Sequence, residues 1–198
     1  LNIHLPKNLL KYQKKFKFKF IHITTDCVFD GNNGNYKEDA TMNANDDYGR
    51  SKASADKLLM NNSQVIILRT STLGNEIKTK RGLLEWFLSC EKICYGFKNA
   101  YFSGLTTFEL AKIIYKYIIN KQLIKKGLYN LSGPRINKFN LLKIIKKIYK
   151  KNILIKPNYR LNIDRSLNAN KFIKISKYKK LSWSKMLKEH KKFNDKKN

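Results

Sequence analysis

Three polar side chains in the first quarter of the chain have types and spacing suited to proton transfer onto a carbonyl oxygen: Thr25, Tyr48 and Lys52. Tyr48 and Lys52 share one face if their segment is helical, because positions i and i+4 are neighbours. A nearby ammonium favours phenolate and lowers the pKa of a tyrosine from about 10. Such a tyrosine can protonate a carbonyl oxygen while hydride reaches the carbon, and a threonine hydroxyl can hold that oxygen.

The four-residue spacing carries no weight by itself, because both residue types are abundant here. The chain has 11 tyrosines and, after its 6 arginines are subtracted from 42 basic residues, 36 lysines. About two Tyr-x-x-x-Lys pairs are therefore expected by chance. Two occur, the second being Tyr117 with Lys121. Thr25, which precedes Tyr48 at the end of a predicted strand, distinguishes the first pair from the second.

Hydrophobic periodicity predicts the elements that position these residues. Leucines at helical spacing predict a helix over 5–15, and the apolar run in 16–24 predicts a strand. A polar loop follows, then a helix that carries Tyr48 and ends near Met60, and then the buried strand QVIILRT. This order indicates an α/β fold with a parallel sheet and crossover helices. Such sheets bind ligands at the carboxyl ends of their strands, where Thr25 lies.

The rest of the chain continues the alternation of helices and strands. Helices are predicted over 82–93, 107–119 and 138–151 and from about Leu181 onward, and a short strand over 127–133.

Composition limits the class of protein. The net charge of +28 suggests a polyanionic partner, nucleic acid or an anionic membrane, but the lysines are spread along the whole chain, which favours compositional drift. Three cysteines (Cys27, Cys90 and Cys94) without a C-x-x-C pair predict no disulfide framework, no metal site and a reducing cytoplasm. No apolar run approaches the roughly 18 residues that span a bilayer, and no signal peptide is visible.

Several motifs together resemble the extended short-chain dehydrogenase/reductase superfamily, and most closely the dTDP-4-dehydrorhamnose reductase family of sugar-nucleotide reductases. They are TTDCVFDG (24–31), YGRSK (48–52), ILRTSTLG (67–74), FSGLTTFELAKII (102–114), GLYNLSG (127–133) and DRSLNANKF (164–172). The resemblance covers nearly the whole chain. It implies a cytoplasmic oxidoreductase of deoxy-sugar and surface-polysaccharide biosynthesis, in which NADPH, or NADH, reduces a 4-keto-6-deoxy sugar nucleotide.

The resemblance also implies roles for particular residues. The catalytic residues would be Thr25, which orients the ketone, Tyr48, which donates the proton, and Lys52, which tunes Tyr48 and binds the nicotinamide ribose. Cofactor binding would involve Tyr48, Lys52, Thr24, Arg69, Thr70 and Ser71. Substrate binding would involve Thr25, Asp26, Cys27, Ser71, Ser103 and Thr106. The sugar-nucleotide substrate is the expected partner, no specific nucleic acid is expected, and a homo-oligomer is possible.

Two departures from the family pattern qualify the resemblance. Cys27 replaces the usual aromatic residue, and none of the nine glycines forms the G-x-G-x-x-G turn that binds a dinucleotide. Because the chain also begins with Leu1, we expect it to be the C-terminal portion of a longer reductase. We expect residues 1–75 to contain the remaining Rossmann-like doubly wound sheet with the catalytic residues. Residues 76–198 would form a small mixed α/β substrate-binding region interleaved with the last strands of that sheet.

Two consequences and two alternatives stay open at this stage. The isolated chain is not expected to turn over NADPH, and its first strand is expected to expose an apolar edge. A non-catalytic nucleotide-binding or regulatory subunit of the same fold is the main alternative, although it would not need Thr25, Tyr48 and Lys52 together. A basic nucleic-acid-binding protein is the second alternative. The sequence leaves the identity of the nucleotide and of the sugar open.

Overall fold

The computed structural model describes residues 1–62, 64–76, 79 and 81–196. The helices are α1 (His4–Phe16), α2 (Asp47–Met60), α3 (Leu83–Ser89), α4 (Thr107–Ile113), α5 (Lys138–Ile148), α6 (Asn170–Ser176) and α7 (Trp183–Asp195). The strands are β1 (Phe20–Thr25), β2 (Val65–Thr70), β3 (Thr72–Leu73), β4 (Ile93–Phe102), β5 (Leu105–Thr106), β6 (Gly127–Asn130), β7 (Ile136–Asn137) and β8 (Leu154–Asp164). A 3-10 turn, Asp26–Val28, follows β1, and a π-helical segment, Ile114–Asn120, extends α4.

A parallel sheet in the order β1–β2–β6 carries the site, as the apolar strands predicted. All six residues of β2 are buried, which explains why this strand has no alternation of polar and apolar residues. Thr25 pairs with Thr70 and Arg69 with Asn130, so the polar ends of the three strands lie side by side. The α/β fold class inferred from the sequence is therefore confirmed.

A second sheet, in the order β7–β4–β8, was not predicted, because its strands have no clear period-two alternation. The helix predicted over 82–93 is wrong beyond Ser89. Cys90 adopts an extended conformation (φ −69°, ψ 140°), and β4 then begins at Ile93. In β8 the residues are largely exposed and include Pro157, which the strand tolerates because β8 pairs with β4 alone among the described strands.

The outer edge of β1 is unpaired among the described strands. Ile23 on this strand is 45% exposed, and Phe18 just before it is 38% exposed. An apolar edge of this kind matches the one expected from the sequence. No helix in the described part of the chain is long and apolar enough to cross a bilayer.

The polar loop between β1 and α2 is fastened to the segment that follows β8. Asp164 N–H donates to the Gly31 carbonyl at 2.6 Å, and Tyr36 N–H donates to the Ser166 carbonyl at 2.9 Å. Asn168 N–H in turn donates to the Tyr36 carbonyl at 2.8 Å. These main-chain bonds connect the loop that ends at α2 with the far end of the second sheet.

Candidate active site

Thr25 ends β1 and begins the 3-10 turn that follows it. Its hydroxyl accepts a hydrogen bond from Cys27 N–H at 3.1 Å and donates to Asp26 Oδ1 at 3.2 Å. The extended backbone of Thr25 (φ −125°, ψ 151°) is the usual conformation of a residue that caps a helical turn. The cap fixes the hydroxyl at the carboxyl end of the parallel sheet, where ligands of open α/β sheets bind.

Tyr48 lies in the first turn of α2, whose start is fixed by Asp46. The Asp46 carboxylate accepts a hydrogen bond from Gly49 N–H at 2.7 Å, as a helix N-cap does. The Tyr48 side chain is 52% exposed, and its phenol is close enough to the Thr25 hydroxyl for the two groups to interact. The structure therefore brings together two of the predicted catalytic residues, Thr25 and Tyr48, from separate elements.

Gly49 makes this approach possible. A Cβ atom at this position would lie 2.3 Å from the Cys27 carbonyl oxygen and 2.5 Å from the Ala44 Cβ atom, closer than real Cβ atoms come. The glycine of YGRSK thus lets the first turn of α2 contact the turn after β1 directly.

We expect the substitution Gly49→Ala to destabilise the protein by about 1–3 kcal/mol, as overpacked sites do. Alanine favours an α-helix over glycine by about 1 kcal/mol, so without the contact the same change would stabilise α2. Urea denaturation measures the difference. Ser54→Ala, at an exposed position of the same helix, is the control and should change stability little. A Gly49→Ala protein more stable than the wild type would contradict the contact.

The pKa of Tyr48 is raised, not lowered as the sequence suggested. Partial burial of the phenol is the largest cause, the thiolate that Cys27 forms at high pH acts in the same direction, and the nearby Thr25 hydroxyl opposes them. The expectation of a lowered pKa is wrong for this structure because desolvation of the phenolate is the dominant effect. A raised pKa keeps Tyr48 protonated at neutral pH, which is the form that a proton donor needs.

Lys52 lies one turn after Tyr48 on α2 and is half-buried. Its charge acts on His22 and Asp56. Burial and, secondly, the Lys52 charge lower the pKa of His22 to about 4, although Asp56 Oδ1 lies only 3.9 Å from His22 Nε2. Desolvation thus outweighs the attraction of the carboxylate, and His22 is neutral at pH 7.

The stability of the protein should therefore fall as the pH drops from about 6.5 to about 4. In this window His22 takes up a proton in the unfolded chain but not in the folded one, at a cost of at most about 3 kcal/mol. Denaturation of His22→Gln should show a smaller loss than the wild type over this range. His4→Gln, at an exposed histidine, should follow the wild type. Equal pH dependence of the wild type and His22→Gln would contradict the burial of a neutral imidazole.

Arg69 is fully buried and does not reach the cleft that the sequence assigned to it. Its Nη2 atom lies 3.2 Å from Asp56 Oδ2, both side chains are 0% exposed, and its guanidinium lies over the Phe29 ring at 5.0 Å. The Thr24 hydroxyl is also buried, and its proximity lowers the pKa of the Asp56 carboxyl while burial, the larger effect, raises it. Arg69 and Thr24 thus surround Asp56 beneath α2.

The hydroxyls of three other predicted ligands, Ser103, Thr106 and Thr70, form hydrogen bonds with backbone groups. The Ser103 hydroxyl accepts a hydrogen bond from Leu167 N–H at 2.8 Å, and Thr106 caps α4 by accepting one from Glu109 N–H at 3.2 Å. The Thr70 hydroxyl is buried and donates to the Ser71 carbonyl at 3.3 Å. Their side chains are not directed into the cleft, because each satisfies a backbone group nearby.

A cavity of about 230 Å³ lies beside the Thr25–Tyr48 pair. Asp26, Cys27 and Ser71, all predicted as substrate ligands, line it. Burial raises the pKa values of Asp26 and Cys27, and the Arg165 charge partly offsets both shifts. Among the described residues, no three His, Cys, Asp or Glu side chains come together to hold a metal ion.

Two cations on the cavity wall, Lys138 and Arg165, were not predicted. The Nη2 atom of Arg165 lies 3.6 Å from Asp46 Oδ2, and its buried Nε atom has no hydrogen-bond partner. Arg165 falls within the motif DRSLNANKF, so the sequence contained a signal for this position. Lys138 begins α5 and has no sequence signal that distinguishes it from the other lysines.

Comparisons with known proteins agree with the resemblance inferred from the sequence motifs. Residues 1–92 match the family model described as RmlD substrate binding domain. A curated dTDP-4-dehydrorhamnose reductase from Aggregatibacter actinomycetemcomitans is 34% identical over 120 residues, which cover 57% of this chain and 40% of that protein. The alignment thus spans about 40% of the length of the curated relative.

Two solved structures have the same fold. A hypothetical dTDP-4-dehydrorhamnose reductase from Sulfolobus tokodaii is 25% identical with a TM-score of 0.77, covering 92% of this chain and 68% of that one. The dTDP-4-dehydrorhamnose reductase of Bacillus anthracis, solved in complex with NADP, is 18% identical with a TM-score of 0.83, covering 98% of this chain and 72% of that one. The resemblance predicted from the motifs is confirmed: residues 1–92 match the RmlD substrate binding domain family, and the chain has the fold of dTDP-4-dehydrorhamnose reductases.

Proposed function

We propose that this chain carries the carbonyl-binding and proton-donating part of an NADPH-dependent reductase that acts on a 4-keto-6-deoxy sugar nucleotide. The observation that supports this most directly is the proximity of the Thr25 hydroxyl to the Tyr48 phenol at the carboxyl end of the sheet. Lys52, which the sequence paired with Tyr48, lies one turn further along the same helix. The match of residues 1–92 to a family of sugar-nucleotide reductases supports the same substrate class.

In this proposal Thr25 and Tyr48 act on one oxygen of the substrate. When the substrate binds, Thr25 turns its hydroxyl hydrogen from Asp26 Oδ1 to the ketone oxygen, and Tyr48 transfers its phenolic proton to that oxygen. The C=O double bond becomes a C–O single bond, and the product is a secondary alcohol. Tyr48 is left as a phenolate, and its 52% exposure allows a proton from solvent to restore it.

The residues present fit one end of a nicotinamide cofactor. Bound NADPH would supply the hydride that adds to the carbonyl carbon. The hydroxyl of Tyr48 and the ammonium of Lys52 suit hydrogen bonds to the hydroxyls of the nicotinamide ribose. The nine glycines include no G-x-G-x-x-G turn for the pyrophosphate, so this chain accounts for the ribose end of the cofactor alone.

The cavity next to this pair suits an anionic substrate. Lys138 and Arg165 provide two positive charges on its wall. Guanidinium groups bind phosphate oxygens through charge-assisted hydrogen bonds, which are stronger than neutral ones. We assign the diphosphate of the sugar nucleotide to these two residues, with the sugar directed toward Cys27 and Thr25.

The reaction can be tested with the full product of the gene that encodes this chain. With NADPH and dTDP-4-keto-6-deoxy-L-mannose, absorbance of the reduced nicotinamide should fall only when both are present. Binding of dTDP, followed by isothermal titration calorimetry, separates the substrate site from the chemistry. Bound dTDP without nicotinamide oxidation would argue for the alternative, a non-catalytic nucleotide-binding subunit.

The same calorimetric experiment tests Arg165. We expect Arg165→Gln to weaken dTDP binding at least about 10-fold, because a charge-assisted hydrogen bond contributes about 1.5–3 kcal/mol. Arg160→Gln is the matched control, since Arg160 is exposed on β8 and does not line this cavity. Equal dTDP affinity of the two variants would rule out the assignment of Arg165.

The proposed division into domains follows from this function. Residues 1–75 would supply Thr25, Tyr48 and Lys52, and residues 76–198 would supply the wall with Lys138 and Arg165. β6, from the second segment, pairs with β2 of the first, so the two parts share a sheet. The retained catalytic pair favours an enzyme over a non-catalytic subunit, because such a subunit would not need both hydroxyls.

A further inference from the structure

A groove runs along the surface between α5 and α7, outside the candidate active site. Its volume is about 860 Å³, and seven lysines line it against one carboxylate, Asp195. That carboxylate already forms an ion pair with Lys191. Lysine makes up 36 of the 198 residues of the whole chain but most of the lining of this groove. The groove therefore concentrates positive charge well above the average of the chain.

The lining residues have a regular arrangement. Lys143 and Lys147 lie one turn apart on α5, and Lys188 and Lys192 lie one turn apart on α7. These four side chains are exposed. Two half-buried isoleucines of α5, also one turn apart, complete the lining and pack against the core on their other side: Ile144 and Ile148. The groove thus combines an apolar strip with lysines contributed by both helices.

Three kinds of polyanion could bind these lysines: an anionic bilayer, a single-stranded nucleic acid or an acidic helix. The residues that line the groove discriminate between them. A bilayer surface is flat, whereas Ile144 and Ile148 are half-buried among lysines that two helices contribute. Proteins that bind single-stranded nucleic acids use aromatic side chains for base stacking, and arginine is the usual side chain for reading guanine. The residues that line this groove include neither an aromatic side chain nor an arginine.

An acidic amphipathic helix is complementary both to the apolar strip and to the lysines of the groove. Its apolar residues at positions i, i+4 and i+7 would cover Ile144 and Ile148, and acidic residues on either side would meet the lysine rows. Helix-in-groove recognition of this form buries an apolar stripe and uses flanking charges for specificity. We propose that the groove between α5 and α7 is a docking site for an acidic amphipathic helix of a partner protein. This proposal does not depend on the proposed reductase activity.

Exposed lysines outside the groove provide a control for this proposal. Lys7 and Lys11 of α1 are also exposed and one turn apart, but they do not line this groove. If the groove only reflects the high lysine content of the chain, reversing the charge of either lysine pair should weaken the binding of an acidic ligand equally. If the groove is a docking site, charge reversal of Lys188 and Lys192 on α7 should weaken binding much more than charge reversal of Lys7 and Lys11.

Fluorescence anisotropy with a labelled synthetic helix tests the proposal. The probe is a peptide of about 18 residues, long enough to form a helix, with leucines on one face and glutamates on the rest. A peptide of the same composition with scrambled leucine positions should bind at least about 10-fold more weakly, because it cannot cover the apolar strip. A labelled single-stranded oligonucleotide of equal charge should also bind more weakly than the amphipathic probe.

Two double variants complete the experiment. Lys188→Glu/Lys192→Glu should weaken binding of the amphipathic probe at least about 10-fold, and Lys7→Glu/Lys11→Glu should change it less than about 3-fold. The proposal would be overturned by equal effects of the two variants, by equal affinity for the scrambled peptide, or by tighter binding of the oligonucleotide.

Discussion

Replacement of Tyr48 by phenylalanine is expected to lower the rate of ketone reduction about 10²–10⁴-fold, the range for loss of a positioned acid. The phenol lies close to the Thr25 hydroxyl, and its raised pKa keeps it protonated at neutral pH. Affinity for dTDP should be unchanged, because Tyr48 does not line the cavity wall that carries Arg165. Steady-state nicotinamide absorbance measures the rate, and calorimetry measures dTDP binding.

The other Tyr-x-x-x-Lys pair of the chain supplies the matched control. Tyr117 is 8% exposed and packs edge-to-face against Phe172 and Tyr178 in the core. Tyr117→Phe keeps that ring and should retain the wild-type rate. Thr25→Val should also slow reduction, and its effect should not add to that of Tyr48→Phe, because both hydroxyls act on one oxygen. A wild-type rate in Tyr48→Phe would show that Tyr48 is not the proton donor.

Replacement of Asp56 by alanine is expected to lower the free energy of unfolding by about 3–5 kcal/mol. Asp56 Oδ2 lies 3.2 Å from Arg69 Nη2, and both side chains are fully buried. Without the carboxylate, the Arg69 guanidinium keeps its cost of burial and loses its ion-pair partner. Arg69 Nε and Nη1 already have no hydrogen-bond partner. Chemical denaturation followed by circular dichroism measures the loss.

Two controls separate the buried pair from ordinary ion pairs. Asp47→Ala removes the partner of Arg50 on the surface of the same helix, where both side chains are largely exposed, and should cost at most about 1 kcal/mol. The double variant Asp56→Leu/Arg69→Met removes both charges and should be more stable than Asp56→Ala. If the double variant is the less stable of the two, the unpaired charge is not the cause of the loss.

The positions of Thr25 and Tyr48 in the fold could be predicted from the sequence because a local signal sets each of them. A strand end placed the Thr25 hydroxyl, and YGRSK placed Tyr48 at the start of a helix. The pKa of Tyr48 could not be predicted, since it depends on how deeply the phenol is buried beside Cys27. The opposing Thr25 hydroxyl comes from another element of the fold. Burial is a tertiary property that the i,i+4 spacing of Tyr48 and Lys52 does not contain.

The residues missed or misplaced by sequence reasoning share a physical cause. Lys138 and Arg165 reach the cavity from separate parts of the second sheet region, and nothing local marks two basic residues in a lysine-rich chain as neighbours. Ser103 and Thr106 looked like ligands because they are polar and lie in a family motif. In the structure their hydroxyls accept hydrogen bonds from backbone N–H groups, which buried segments must satisfy.

The loop between β1 and α2 affects which segments of the protein open together in local unfolding. Thr25 and Tyr48 stand at its two ends, and the main-chain bonds of Gly31 and Tyr36 tie its middle to the segment that contains Arg165. Local opening that frees this segment must break these bonds, so we expect the loop between Thr25 and Tyr48 to open together with the segment that carries Arg165. A fluctuation that separates the two would move the proposed proton donor away from the proposed anion-binding residue in a single event.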